Sequence, residues 1–401
     1  MIYDPTRHEA LQPLTWSEDR ARLAIRQIVA DAEARFSPEH YWPPHPRDTD
    51  GAAAEPFTPL YMGALGMFWA LHYLRDLGAA RLSRDYTPYL ERVQADNRRW
   101  LGAQYPASRG AYLMGDTPFL FMRHLADPGN LQLRDELERL IADNLDHPTR
   151  ELMWGSPGTM LAALFLYQRT GEERWAQQFR LTARTLWSQL QWSEEFACHY
   201  WTQELYGRQS TYLDAVHGFV ATAVPLIHGR ALLAQAEWHA WLECIINTIR
   251  RTATWQGTEV NWRAYLLVSE SQPPRYLMQF CHGAPGFVIC LGDLPSDELD
   301  PLLEAAGETT WSAGPLVKGA NLCHGTGGNG YAFLKLFQRT GESKWLDRAR
   351  AFAMHGIAQT EADLRQFRQG RYSLWTGDVG FAIYLWHCLH ATAAFPALDV
   401  F

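Results

Sequence analysis

Gly325-Thr-Gly-Gly-Asn-Gly-Tyr-Ala-Phe-Leu-Lys-Leu-Phe-Gln-Arg-Thr-Gly-Glu342 repeats the plan of an earlier stretch, Gly155-Ser-Pro-Gly-Thr-Met-Leu-Ala-Ala-Leu-Phe-Leu-Tyr-Gln-Arg-Thr-Gly-Glu172. Each has a Gly-x-x-Gly turn, an apolar run and a closing Gln-Arg-Thr-Gly-Glu, and Trp175 and Trp345 follow at the same offset. A run that is apolar on most faces and stops at Thr-Gly reads as a buried helix. After it, Trp345, Ala349, Phe352 and Ala353 recur at helical spacing, with Asp347, Arg348 and Arg350 on the opposite side. Each unit is therefore expected to be a hairpin of one inner and one outer helix.

Looser copies of the turn occur along the whole chain, at Gly63/Gly66, Gly115/Pro118, Gly155/Gly158, Gly218/Ala221, Gly283/Gly286, Gly325/Gly328 and Gly377/Gly380. A repeat of this period is the mark of an array architecture. Seven inner helices, each paired with an outer one, predict an all-α fold, an α/α toroid with every turn at one end. Helix N-termini gathered there would present unpaired N–H groups and positive dipole ends to a common bowl. The expectation is a single domain over 1–401. Residues 1–55 form a peripheral segment with one helix at roughly Trp16–Arg35 before Pro43, Pro44 and Pro46.

Composition narrows the function. A chain of 401 residues with 47% hydrophobic content can bury a large core, and a net charge of −8 provides no basic footprint for nucleic acid. The six cysteines are scattered without a disulfide framework, and Met-Ile-Tyr-Asp-Pro is no secretory signal, so a reducing cytoplasm is expected. Charge, Gly or Pro interrupts each long apolar stretch before it reaches the length of a membrane span. Oligomeric state is left open.

Cys-His-Gly occurs twice, as Cys281-His282-Gly283 and Cys323-His324-Gly325, at the openings of the fifth and sixth turns. Two thiols and two imidazoles can hold a soft divalent metal, with zinc the usual occupant, or they can simply pack in helical turns. The segments Phe280-Cys-His-Gly-Ala-Pro-Gly286, Leu322-Cys-His-Gly-Thr-Gly-Gly-Asn-Gly-Tyr-Ala-Phe-Leu334 and Ser373-Leu-Trp-Thr-Gly-Asp-Val-Gly380 resemble the lanthionine synthetase C-like family. The ending Ala394-Phe-Pro-Ala397 is similar to its eukaryotic-type stand-alone members.

That resemblance implies zinc held by Cys281, Cys323 and His324 with a fourth, open position, the pattern of catalytic zinc. It implies Michael addition of a cysteine thiol, from glutathione or from a peptide, to dehydroalanine or dehydrobutyrine, forming a thioether. The family's candidate acid maps onto His217, which otherwise caps or fills its turn. His282 is read either as a second proton donor or as a hydrogen-bonding group within its turn. Lys318 stands where glutathione-binding members carry a lysine, and Arg365, with Arg368 and Arg371 near it, offers a second basic contact. Glu151 stands where some cyclases place an Asp, but as an ordinary Glu it reads as a solvated helix end. Leu277 replaces an Arg of many peptide cyclases, and Asp378 is unusual in the last turn. Trp154, Trp201 and Trp375 near the turns read as core.

Three alternatives accompany this reading: a cyclase dedicated to one precursor peptide, a zinc- and glutathione-binding protein without turnover, and a carbohydrate enzyme on an α/α barrel. The last is invited by 17 Trp residues, but no persuasive carboxylate pair stands at the turns to support it.

Overall fold

The computed structural model describes residues 1–49, 55–268 and 274–401; positions 50–54 of the N-terminal stretch lie outside them. The helices in chain order are α1 (Glu18–Arg35), α2 (Pro46–Thr49), α3 (Ala64–Asp76), α4 (Leu90–Gln104), α5 (Thr117–Ala126), α6 (Leu131–Asp143), α7 (Ser156–Thr170) and α8 (Glu173–Ser188). They continue with α9 (Phe219–His228), α10 (Gln235–Thr252), α11 (Ala284–Leu291), α12 (Asp300–Ala313), α13 (Thr326–Thr340), α14 (Ser343–Phe367) and α15 (Asp378–His390). The odd-numbered helices from α3 to α15 each follow one of the glycine turns. Both copies of the founding repeat end as their sequence indicates, with Gly171 and Gly341 in the left-handed region closing α7 and α13.

The inner helices are buried on nearly every side. All residues from Phe219 to Ile227 of α9 and from Ala284 to Leu291 of α11 are buried. A helix apolar all round can be stable only in such surroundings. The turns that feed them leave no room for side chains. Gly283 has φ +110, and a β-carbon at Gly286 would run into the Phe280 carbonyl and the Ala215 side chain.

The chain forms two compact units, one of Met1–Asp4, Arg98–Ser312 and Ala397–Phe401, the other of Pro5–Asn97 and Ala313–Pro396. In the first unit α5, α7, α9 and α11 pack as successive neighbours, with α6, α8 and α10 against α5, α7 and α9. The C-terminal Phe401 stacks on Phe121 at 4.4 Å and lies 6.3 Å from Phe165. In the second unit α13, α15 and α3 are successive neighbours and α14 covers α13. The last inner helix, α15, has no helix after it. The N-terminal α1 lies against it instead, burying Ala21, Ala24, Ile25, Val29 and Ala32.

Three two-stranded antiparallel hairpins, which the sequence reading did not anticipate, also occur among the described residues: β1 (Gln191–Ser193) with β2 (Cys198–Tyr200), β3 (Gln203–Leu205) with β4 (Arg208–Ser210), and β5 (Thr254–Gln256) with β6 (Glu259–Asn261). The β3–β4 turn has Tyr206 and Gly207 both at positive φ, the two-residue geometry that matches strand twist. Asn or Asp normally announces such a turn at its first position, and Tyr206 does not.

Candidate active site

In the first unit the turns before α7, α9 and α11 gather a set of titratable groups. Glu151 is fully buried, which corrects its reading as a solvated helix end. Its carboxylate accepts from the Met153 and Trp154 backbone N–H groups at 2.9 and 2.6 Å, and His217 Nδ1 lies 2.8 Å from its Oε2. With the carboxylate as acceptor, Nδ1 is the donor and Nε2 is the nitrogen left for another partner. His217 keeps 15% of its side-chain surface exposed. Its ring therefore belongs to the neighbouring turn's carboxylate and does not cap its own helix.

Asp214 organises the same place from below. One oxygen accepts from Val216 N and His217 N at 3.0 and 2.7 Å, tying the turn, and the other lies 2.7 Å from His282 Nδ1. At that distance the two form an ion pair when the imidazole is charged. His282 thus pairs across turns, with only its backbone bonded inside its own, to Gln279.

Burial alone would lower both imidazoles, yet both are held above the ordinary histidine range. For His217 the bond and charge of Glu151 outweigh burial, helped by the charges of Asp214 and Cys281. For His282 the charges of Asp214 and Cys281 do so, against opposition from His217. Asp214, where burial works to raise the carboxyl, ends below its usual value because His282 and His217 stand beside it. Both imidazoles are thus held toward the charged form, and in the Asp214–His282 pair the carboxyl is held toward its charged form as well.

Cys281 is buried, and the Gln279 side-chain amide donates to its Sγ at 2.9 Å. Tyr212 and Tyr206 flank His217, with ring centroids 5.4 and 6.2 Å from it, and Trp154 Nε1–H donates to the Tyr206 hydroxyl at 3.2 Å.

In the second unit Cys323 N–H donates to the Trp375 carbonyl at 2.7 Å, and Trp375 N–H to the Tyr61 carbonyl at 3.1 Å. The turns before α13, α15 and α3 are thereby stitched together. Cys323 is buried and its Sγ accepts from the Tyr61 hydroxyl at 3.0 Å. His324, half-buried, has its backbone fixed by Asn321 Oδ1 at 3.0 Å, the role Asp214 plays for His217. Lys318 is exposed in the loop leading to Cys323, and Arg365 is exposed on α14 in the wall of a cleft with α1. Arg371 is committed to Asp48 through two contacts at 2.9 Å. Trp154, Trp201 and Trp375 are buried.

The donor set fits a soft metal. Two buried thiols, each already accepting a hydrogen bond that favours the thiolate, and one imidazole are the ligand types zinc takes in sites with an open position. All six cysteines are free thiols, as the lack of a disulfide framework indicates. No helix among the described residues is long and apolar enough to cross a membrane.

The repeated Cys-His-Gly drew attention to its turns and the family resemblance to His217 and His282; Glu151 was read as a solvated helix end, and Asp214 and Tyr61 were not singled out. The available signal was the polar residue three positions before each turn histidine, Asp214 before His217 and Asn321 before His324.

Among solved structures the chain is similar to nisin cyclase, with a TM-score of 0.59 at 14% identity over 84% of this chain and 89% of that one. At that identity the likeness shows the fold, the all-α α/α toroid. The chain is 34% identical to the LanC-like protein GCL1 of Arabidopsis thaliana over 33% of this chain and 32% of the relative. It is also 34% identical to the glutathione S-transferase LANCL1 of Danio rerio over 31% and 32% of the two chains. The matched stretches span about a third of those relatives. The sequence model of lanthionine synthetase C-like proteins matches residues 58–400. With that match running through every glycine turn, and with the fold the structural likeness shows, the chain belongs to the lanthionine synthetase C-like family.

Proposed function

We propose that this protein is a zinc-dependent enzyme that adds a cysteine thiol to dehydroalanine or dehydrobutyrine residues, with glutathione as the thiol. The observation that carries it is the His217 imidazole, partly exposed at its turn and backed by the buried Glu151 carboxylate. The name of the Danio rerio relative supports glutathione over a peptide thiol. Free thiols throughout and a glutathione substrate both suit the cytoplasm.

Cys281, Cys323 and His324 would hold the zinc. When bound, the ion keeps a substrate thiol in its thiolate form near neutral pH. The chain's own residues do the rest. As the new S–Cβ bond forms, the alkene electrons move to the carbonyl and give an enolate. The positive ends of the inner helices favour that charge. His217, kept protonated by Glu151, delivers a proton to Cα, and the thiol's own proton restores the imidazolium, so atoms and charge balance. His282, paired with Asp214, supplies a second cation beside Cys281. Lys318 and Arg365 contact the carboxylates of the tripeptide.

The test is a dehydroalanine-containing peptide incubated with glutathione and zinc-loaded protein, read by mass. A gain of one glutathione per dehydroalanine, faster than without protein and lost in His217→Ala, supports the reading. Zinc bound with no adduct above background refutes turnover and leaves a binding protein.

A further inference from the structure

A cleft of about 360 Å³ opens between α1, α14 and α15 in the second unit, on residues that the thioether chemistry uses only at Arg365. Its walls are apolar, with Ile28, Met67, Ile357, Leu364, Val379 and Phe381. This volume is within the range of small-molecule sites, which combine such walls with a few convergent polar groups. Here the polar groups include, besides Glu361, the carboxylates of Asp31 and Asp378. Gly370 marks where they converge: a β-carbon built on it would lie 2.8 Å from Asp31 Oδ2 and 3.3 Å from Asp378 Oδ2. The missing side chain leaves the space between the two acids open.

The partners of these acids do not cancel their charge. Asp31 accepts from the Tyr372 hydroxyl at 2.7 Å and Asp378 from the Arg371 backbone N–H at 2.8 Å. Both donors are neutral. The Arg371 guanidinium is turned to Asp48 instead, and Glu361 at the cleft wall pairs with Arg20 at 3.2 Å. Arg365 is the remaining cation of the lining and stands exposed on α14.

We infer that this cleft binds a hydrophobic amine, its ammonium group held between Asp31 and Asp378 and its apolar body along the α1, α14 and α15 walls. An ammonium supplies the donors and the charge that two adjacent carboxylates lack, and an apolar tail removes exposed hydrocarbon from water. Burial has pushed the Asp378 carboxyl up to about 7, a cost that a bound cation would relieve. Such a ligand bridges the N-terminal helix to the two helices it covers.

Octylamine, octanol and octanoate share one apolar length and separate charge from hydrophobicity. By calorimetric titration of the full-length protein, octylamine is expected to bind saturably at one site, about tenfold or more tighter than octanol, as a charge-assisted hydrogen bond implies. Asp31→Asn and Asp378→Asn should each remove most of that preference while octanol binding stays as it was. Equal binding of octylamine and octanol, tighter binding of octanoate, or no saturable octylamine binding to the wild type overturns the proposal without any variant. Unfolding midpoints of the variants without ligand separate a lost site from a lost fold. The thioether assay is independent of every outcome.

Discussion

In the proposed reaction His217 and Glu151 form the pair on which the chemistry turns, and their bond predicts a pH response. Glu151 raises the imidazole's pKa, so the acid form persists to higher pH than in a free histidine, and activity falls only as pH rises through that raised value. Glu151→Gln removes the charge and keeps the shape. The alkaline limb of the kcat/KM profile should then move to lower pH while zinc content is unchanged; an unmoved limb would show that Glu151 does not tune the acid. His217→Asn should reduce kcat by about 10²- to 10⁴-fold, the usual worth of a positioned general acid. A loss in KM alone would instead assign His217 to binding. The Cys-His turns were legible in the sequence because residue type and local spacing carry them, and His217 because the family resemblance maps an acid onto it. The role of Glu151 was not, since its partner stands on another turn, 66 positions away at His217, and no local pattern encodes that distance; the same holds for the contact of Asp214 with His282.

At the level of elements, the glycine turns and the buried helices after them were readable because both copies of the repeat obey one set of steric demands. Gly286→Ala tests this. Its β-carbon meets a backbone carbonyl that cannot rotate away, so a destabilisation of about 1–3 kcal/mol is expected in urea unfolding. A neutral effect would mean that the turn relaxes freely. The outer partner of α15 was less legible. The repeat pattern leads one to expect an outer helix beside each inner one, drawn from the stretch that follows it. α1, from the opposite end of the sequence, fills the place by burying a stripe of Ala21, Ala24, Ile25, Val29 and Ala32. Ile25→Ala should cost about 2–5 kcal/mol if that stripe is core, and far less if α1 only rests on the surface. The hairpins escaped notice because three-residue strands carry too little alternation to read, and Tyr206-Gly207 lacks the usual turn residue.

For the whole molecule, family and fold rest on the match over 58–400 and on the likeness to nisin cyclase, while the proposed thiol and electrophile rest on the family and on the name of a relative. The net charge of −8 provides no basic footprint for nucleic acid, and in the proposed function the anionic tripeptide is recognised by individual cations such as Lys318. The central claim is that this chain, and not solvent, protonates the enolate. The configuration at the new Cα tests it most directly. A dehydroalanine peptide is converted with glutathione, the product hydrolysed, and the two diastereomers of the thioether amino acid separated and quantified. A proton delivered from a fixed imidazole reaches one face, so a single diastereomer is predicted from the wild type. An equal mixture, formed at the rate seen without protein, would contradict the account.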